Sequence, residues 1–152
     1  MNKISKKKIY GVVICYNSEL VIKDLYLRID KENFDRIYFF DDNSTDNSYE
    51  IAKRFDWIVI KNQTNLGHGG NLKKAITTAF IDGADYVLEI HADNQYDPNL
   101  ITKAKNLIEQ DYALITGSRF VNKNPHKEEG MPFFRYFSNI LMSNFTRKIL
   151  SI

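Results

Sequence analysis

In the segment His91-Ala92-Asp93-Asn94-Gln95-Tyr96-Asp97-Pro98, every second residue from His91 to Gln95 carries an atom that can ligate a metal. On an extended strand end alternate residues point the same way, so an imidazole nitrogen, a carboxylate and an amide oxygen converge on one point. That set suits Mn²⁺ or Mg²⁺ bridging a diphosphate, with positions left open for phosphate oxygens. A lone histidine also serves as a hydrogen-bonded structural residue, so Asp93 leads the set, and Asp97 reads as a cap for a helix starting at Pro98.

Three other loops carry polar chemistry. The pair Asp41-Asp42 can accept hydrogen bonds from a base N–H or from ribose hydroxyls, although residues 41–45 equally suit a helix cap. Asn65-Leu66-Gly67-His68-Gly69-Gly70 leads into a helix, where glycines admit a close ligand and free N–H groups favour an anion such as a diphosphate. An ordinary glycine turn would look the same. The fourth loop, Tyr16-Asn17-Ser18-Glu19, shows neither the dinucleotide fingerprint nor the P-loop pattern, which weakens the NAD and ATPase readings.

These loops need elements to hold them. Short apolar runs alternate with stretches of helical period, the pattern of an α/β chain with a mainly parallel sheet and helices on both faces. Strands are predicted at 9–15, 36–40, 57–60, 86–90 and 113–116, and all four polar loops then open on the carboxyl edge of one sheet. One helix follows Gly70, with Leu72, Ala75, Ile76, Ala79 and Phe80 on a shared face before Gly83. Another begins near Pro98, with Leu100, Ile101, Ala104, Leu107 and Ile108 inward. The loop at 121–130 reads as mobile.

The 152 residues suit one domain, and 43% apolar with 26% charged residues is ordinary globular composition. A net charge of +2 gives no argument for nucleic acid, and Lys6-Lys7-Lys8 reads as a solvated terminus. Cys15 is the only cysteine, which fits a reducing, cytoplasmic setting and a small core residue. Neither a secretion signal nor a run of roughly 18 apolar residues is found.

Together the segments Val12-Val13-Ile14-Cys15-Tyr16-Asn17, Asp41-Asp42-Asn43-Ser44-Thr45-Asp46, 65–70, the Asp93 segment, Gly117-Ser118-Arg119, and Gly130-Met131-Pro132 with Arg135, Ser138 and Asn139 resemble the family 2 glycosyltransferases of the GT-A fold. Within that family the resemblance is to polyprenyl-phosphate sugar transferases of the dolichol-phosphate mannose synthase type, over nearly the whole chain. It implies that Tyr16, Asn17, Glu19, Asp41, Asp42, Asn65, Gly67 and His68 hold the nucleotide. Asp93, His91 and Gln95 would ligate the metal, with Asp93 and Arg119 catalytic, and Arg119, Arg135 and Ser138 would grip the acceptor phosphate. The family often has aspartate at the place of His91, glutamate at that of Ser18 and lysine at that of His68. The chain stops before the family's later acidic and Ser-Gly-aromatic-Arg segments, so residues 1–152 read as a single donor-binding domain of a truncated chain.

The resemblance further implies inverting displacement at the anomeric carbon, metal-assisted, from a nucleoside-diphosphate sugar to a polyprenyl phosphate or glycan, as in cell-envelope glycan synthesis. A phosphate acceptor, with a second pKa near ~6, attacks without a base. A sugar hydroxyl needs one, and Glu128 and Glu129 are the nearby carboxylates, though they read as solvated charges. The aromatic and cationic run at 131–152 suits a helix at the inner face of a membrane beside a lipid-linked acceptor, or packing on further chain or on a second copy in a homo-oligomer. A catalytically silent sugar-nucleotide-binding domain is the alternative function. A sugar-1-phosphate nucleotidyltransferase stands behind both, lacking its glycine-rich N-terminal signature.

Overall fold

The computed structural model describes residues 6–93, 97–117 and 132–150, without the side chains of Arg147 and Leu150. Residues up to Ala113 form one compact unit, and those from Leu114 onward form a second.

In the first unit, β1 (Ile9–Cys15), β2 (Arg36–Asp41), β3 (Ile58–Lys61) and β4 (Tyr86–His91) form one sheet in the order β3-β2-β1-β4, every pair parallel. All seven residues of β1 are buried, because helices cover both faces of a central parallel strand and leave no solvent face to alternate with. The side chains still alternate between two cores. Val13, Cys15, Ile37 and Phe39 join Ile22, Leu25 and Trp57 on one face, while Tyr10, Val12, Ile14, Tyr38 and Phe40 meet Ala75 and Ala79 on the other. Phe39 and Trp57 stack with ring centroids 5.6 Å apart.

The helices of this unit are α1 (Ile22–Arg28), α2 (Ser48–Ala52), α3 (Gly67–Ile81) and α4 (Ile101–Glu109), with short 3₁₀ turns at Lys31–Asn33 and Pro98–Leu100. Asp97 accepts from the Asn99 N–H at 3.0 Å and caps the Pro98 turn as expected. The glycine-rich helix begins at Gly67, not after Gly70. Gly67 turns the chain with a φ of +71°, and the first turn tolerates glycine because its N–H groups lack intrahelical acceptors anyway. Its buried stripe is Asn71, Ala75 and Ala79, which leaves Phe80, one residue and about 100° further round, 50% exposed. In α4 the stripe is Ile101 and Ile108, two turns apart, whereas Leu100 and Leu107 are exposed.

The predicted strand at 113–116 is not formed. The segment Ala113-Leu114-Ile115-Thr116 pairs with no strand among the described residues, and Leu114 is 78% exposed. The loop at 121–130 lies outside the described residues.

Gly11 shows how tightly the sheet centre is filled. A Cβ there would stand 3.3 Å from Ile90 Cδ1 and from Phe34 Cδ1 and Cε1. Gly11→Ala is expected to cost about 1–2 kcal/mol by overpacking, readable as a lower urea midpoint.

The second unit contains α5 (Phe133–Leu150), which exposes Phe133, Phe134, Phe137, Leu141, Met142, Phe145 and Ile149. Among the described residues no helix is long and apolar enough to cross a membrane.

Candidate functional site

The strand register places the ends of the sheet side by side: Cys15 lies opposite Asp41, Asp41 opposite Lys61, and Ile14 opposite His91. Strands β2 and β3 lie to one side of β1 and β4 to the other, so the chain reverses direction across the sheet between β1 and β4. Open α/β folds bind ligands in the crevice at such a point. A cavity of about 320 Å³ lies there.

Tyr16, Asp42, Asn65, Gly67, His68, His91 and Asp93 all line that cavity, so one space gathers side chains from four separate loops. Tyr16 is half exposed at its rim. Asp42 is buried, and its Oδ1 accepts from Asn62 Nδ2 and from the Leu66 N–H, each at 2.8 Å. Asn62 Nδ2 also donates to Asn71 Oδ1 at 2.9 Å, Asn71 Nδ2 donates to the Phe40 carbonyl at 3.0 Å, and Lys74 Nζ donates to Asn62 Oδ1 at 2.7 Å. This network ties β2, the segment after β3 and α3 together beneath the cavity. Asn65 Oδ1 accepts from the Gly67 N–H at 2.9 Å and shapes the entry to α3.

Asp41 does not reach the cavity. It is fully buried, its Oδ2 accepts from the Ser44 N–H at 3.0 Å with Lys61 Nζ 3.8 Å away, and its Oδ1 has no hydrogen-bond partner. Asn17 and Glu19 use their side chains between loops. Asn17 Oδ1 accepts from the Thr45 N–H at 2.9 Å, and Glu19 Oε2 accepts from the Asn47 N–H at 2.8 Å and from Asn47 Nδ2 at 2.9 Å. Both border a second hollow of about 380 Å³, which shares Ser18 and Asp93 with the first.

The start of α2 is held by Asp46, whose Oδ1 accepts from the Ser48 N–H at 2.9 Å and whose Oδ2 accepts from the Glu19 N–H at 3.0 Å. Partial burial pushes the Asp46 carboxyl up, but the Ser48 hydroxyl, followed by the Ser48 and Glu19 N–H groups, outweighs it and holds the group below the usual carboxylate range. Cys15 also lines the cavity, and burial pushes its thiol up to about 11, so it stays protonated and unreactive at neutral pH.

Glu89 was missed by the sequence reading. Its Oε1 lies 3.0 Å from His91 Nε2 and 3.6 Å from His68 Nε2. Imidazole nitrogens and carboxylate oxygens are donors that divalent cations accept, so the residues on this wall fit a metal ion. The signal was present as a lone charge inside the apolar run Tyr86-Val87-Leu88-Glu89-Ile90, two residues before His91.

Gln95, Arg119, Glu128 and Glu129 lie outside the described residues. Arg135 and Ser138 belong to α5 in the second unit, where Arg135 is exposed and Ser138 Oγ donates to the Phe134 carbonyl at 2.9 Å.

Residues 11–150 match the family described as Glycosyl transferase family 2. The UDP-N-acetylglucosamine–dolichyl-phosphate N-acetylglucosaminyltransferase of Methanococcus voltae is 30% identical over 161 residues, covering 94% of this chain and 63% of that protein. The dolichol-phosphate mannosyltransferase of Pyrococcus furiosus is 27% identical over 137 residues, covering 84% of this chain and 37% of that protein. The chain thus spans less than two thirds of either relative. The structure of S. aureus TarS 1–349 superposes with a TM-score of 0.56 at 22% identity, over 76% of this chain and 40% of that one, which bears on the fold.

Proposed function

The chain belongs to glycosyl transferase family 2 and has the GT-A fold, and from that premise we propose that it transfers a sugar, with inversion, from a nucleoside-diphosphate sugar to a polyprenyl phosphate. One observation carries the donor half of this reading: Tyr16, Asp42, the first turn of α3 and the His91–Asp93 wall share one cavity at the switch point of the sheet. The acceptor half is supported by two relatives whose names both carry a dolichyl or dolichol phosphate.

In this reading the exposed ring of Tyr16 flanks the base, and the carboxylate of Asp42 accepts from a base N–H or a ribose hydroxyl. The N–H groups of the first turn of α3 face the diphosphate, where the helix dipole favours the charge that grows on the leaving group. A divalent cation held by Asp93, with His91 and Gln95, would add Lewis-acid stabilisation of that same charge. Arg119 and Arg135 would pair with the acceptor phosphate, whose dianion attacks without a protein base. The exposed aromatic residues of α5 support contact with the membrane that holds such an acceptor.

The test is calorimetric titration with UDP, GDP and their sugars, with and without Mn²⁺, on the chain and on Asp93→Ala, followed by product analysis with a polyprenyl phosphate in vesicles. Metal-dependent binding weakened at least ~10-fold in the variant, with lipid-linked product from the unaltered chain, is the expected result. Binding without turnover would favour a silent donor-binding domain, and absence of nucleotide binding would overturn the reading.

A further inference from the structure

Strand β4 is apolar from Val87 to Ile90 except for Glu89, and a carboxylate there carries a desolvation cost unless something compensates it. Glu89 Oε1 is buried and accepts no hydrogen bond, even though His91 Nε2 stands at 3.0 Å and His68 Nε2 at 3.6 Å. Neither imidazole donates to that oxygen, although the His91 separation lies within hydrogen-bond range. Three Lewis bases therefore face one another, with ligand atoms that all lie within 4.8 Å.

The placement follows from the fold. Glu89 and His91 are two residues apart on β4 and so share a face, while His68 arrives from the other side as the second residue of α3. The two imidazole rings lie 5.2 Å apart at 34°. Around an ion with bonds of about 2.0–2.2 Å, ligand atoms sit roughly 3–4 Å from one another, which the two measured separations already approach. His68 is the more accessible of the three side chains, so an ion can enter from the cavity.

The geometry points to a divalent-metal site formed by His68, Glu89 and His91, with a preference for Zn²⁺ or Co²⁺ over Mg²⁺. Two imidazoles and one carboxylate form the ligand set of open zinc sites, whereas Mg²⁺ demands oxygen ligands and keeps its waters. This set shares only His91 with the ligands expected from the sequence, and it does not depend on the transferase reading. Its consequence for the fold is a staple between β4 and the first turn of α3. That turn holds Gly67, Gly69 and Gly70, so it is the part of the helix that gains most from being fixed.

The experiment uses tag-free, chelator-stripped chain without nucleotide, titrated with Zn²⁺ by calorimetry and with Co²⁺ by visible absorption, together with a thermal melt. One ion per chain and a higher melting temperature with Zn²⁺ are expected, with affinity at least ~10-fold lower in Glu89→Gln and in His68→Ala. Glu89→Gln keeps the shape of the side chain, and His68→Ala changes an exposed one, so the second carries the test should the first unfold. Absence of Zn²⁺ binding by the unaltered chain overturns the assignment. So does binding that depends on Asp93, by Asp93→Asn, while remaining indifferent to Glu89 and His68.

Discussion

Asn71→Leu is expected to lower stability by about 2–4 kcal/mol, even though leucine keeps the branching of the side chain and improves the hydrophobicity of a fully buried position. The amide of Asn71 donates to the Phe40 carbonyl at 3.0 Å and accepts from Asn62 Nδ2 at 2.9 Å. Leucine leaves the carbonyl short of a donor and takes one acceptor from Asn62, which keeps its bonds to Asp42 and Lys74. Each buried polar group stripped of its partner costs about 1–3 kcal/mol, which exceeds what the added apolar contact returns. Urea denaturation reads the effect as a lower midpoint with an unchanged slope. A loss under ~1 kcal/mol would mean that the network relaxes around the gap, and that its role beneath the cavity is smaller than argued.

Much of this architecture was legible from residue types. β1 was read at its full span and β2, β3 and β4 within a residue, because buried parallel strands leave uninterrupted apolar runs bounded by polar loops. Once the strands are parallel, their carboxyl ends must share one edge, so the apolar runs alone bring the four polar loops together. Residues 113–116 misled for the same reason: an apolar run says that a segment wants burial, not that a ladder is waiting for it. The glycines at 67, 69 and 70 suit a loop that admits a close ligand, yet they form the first turn of α3, where glycine costs a helix least.

The site was legible in its outline and not in its wiring. By resemblance Asn17 and Glu19 are expected to hold the nucleotide, and in the structure their side chains also bridge to a neighbouring loop. Their partners, Thr45 and Asn47, are 28 residues away in sequence, and no local pattern reveals such a pairing. Asp41 and Asp42 are adjacent, so their side chains point apart. One goes under the sheet edge beside Lys61 and the other toward the cavity. Glu89 was legible in principle, since the alternation counted forward from His91 into the loop also runs backward into the strand.

That division of Asp42 between two duties makes a second large effect testable. Its Oδ1 holds Asn62 and the Leu66 N–H, so the loop before α3 depends on it, while its place on the cavity wall leaves the carboxylate to meet a ligand. In Asp42→Asn the carboxamide oxygen can keep both internal bonds, but the NH₂ then replaces an anionic acceptor on the ligand side. Nucleoside-diphosphate affinity is expected to fall about 10–100-fold, since a charge-assisted hydrogen bond contributes about 1.5–3 kcal/mol, with little change in melting temperature. Asp42→Ala removes both duties, and is expected to lose affinity and stability together. Calorimetry with the preferred nucleotide, paired with a thermal melt of each variant, separates the two. If Asp42→Asn binds like the unaltered chain while Asp42→Ala melts early, then Asp42 only braces the loop, and the group that recognises the base must be sought at Tyr16 or Asn65.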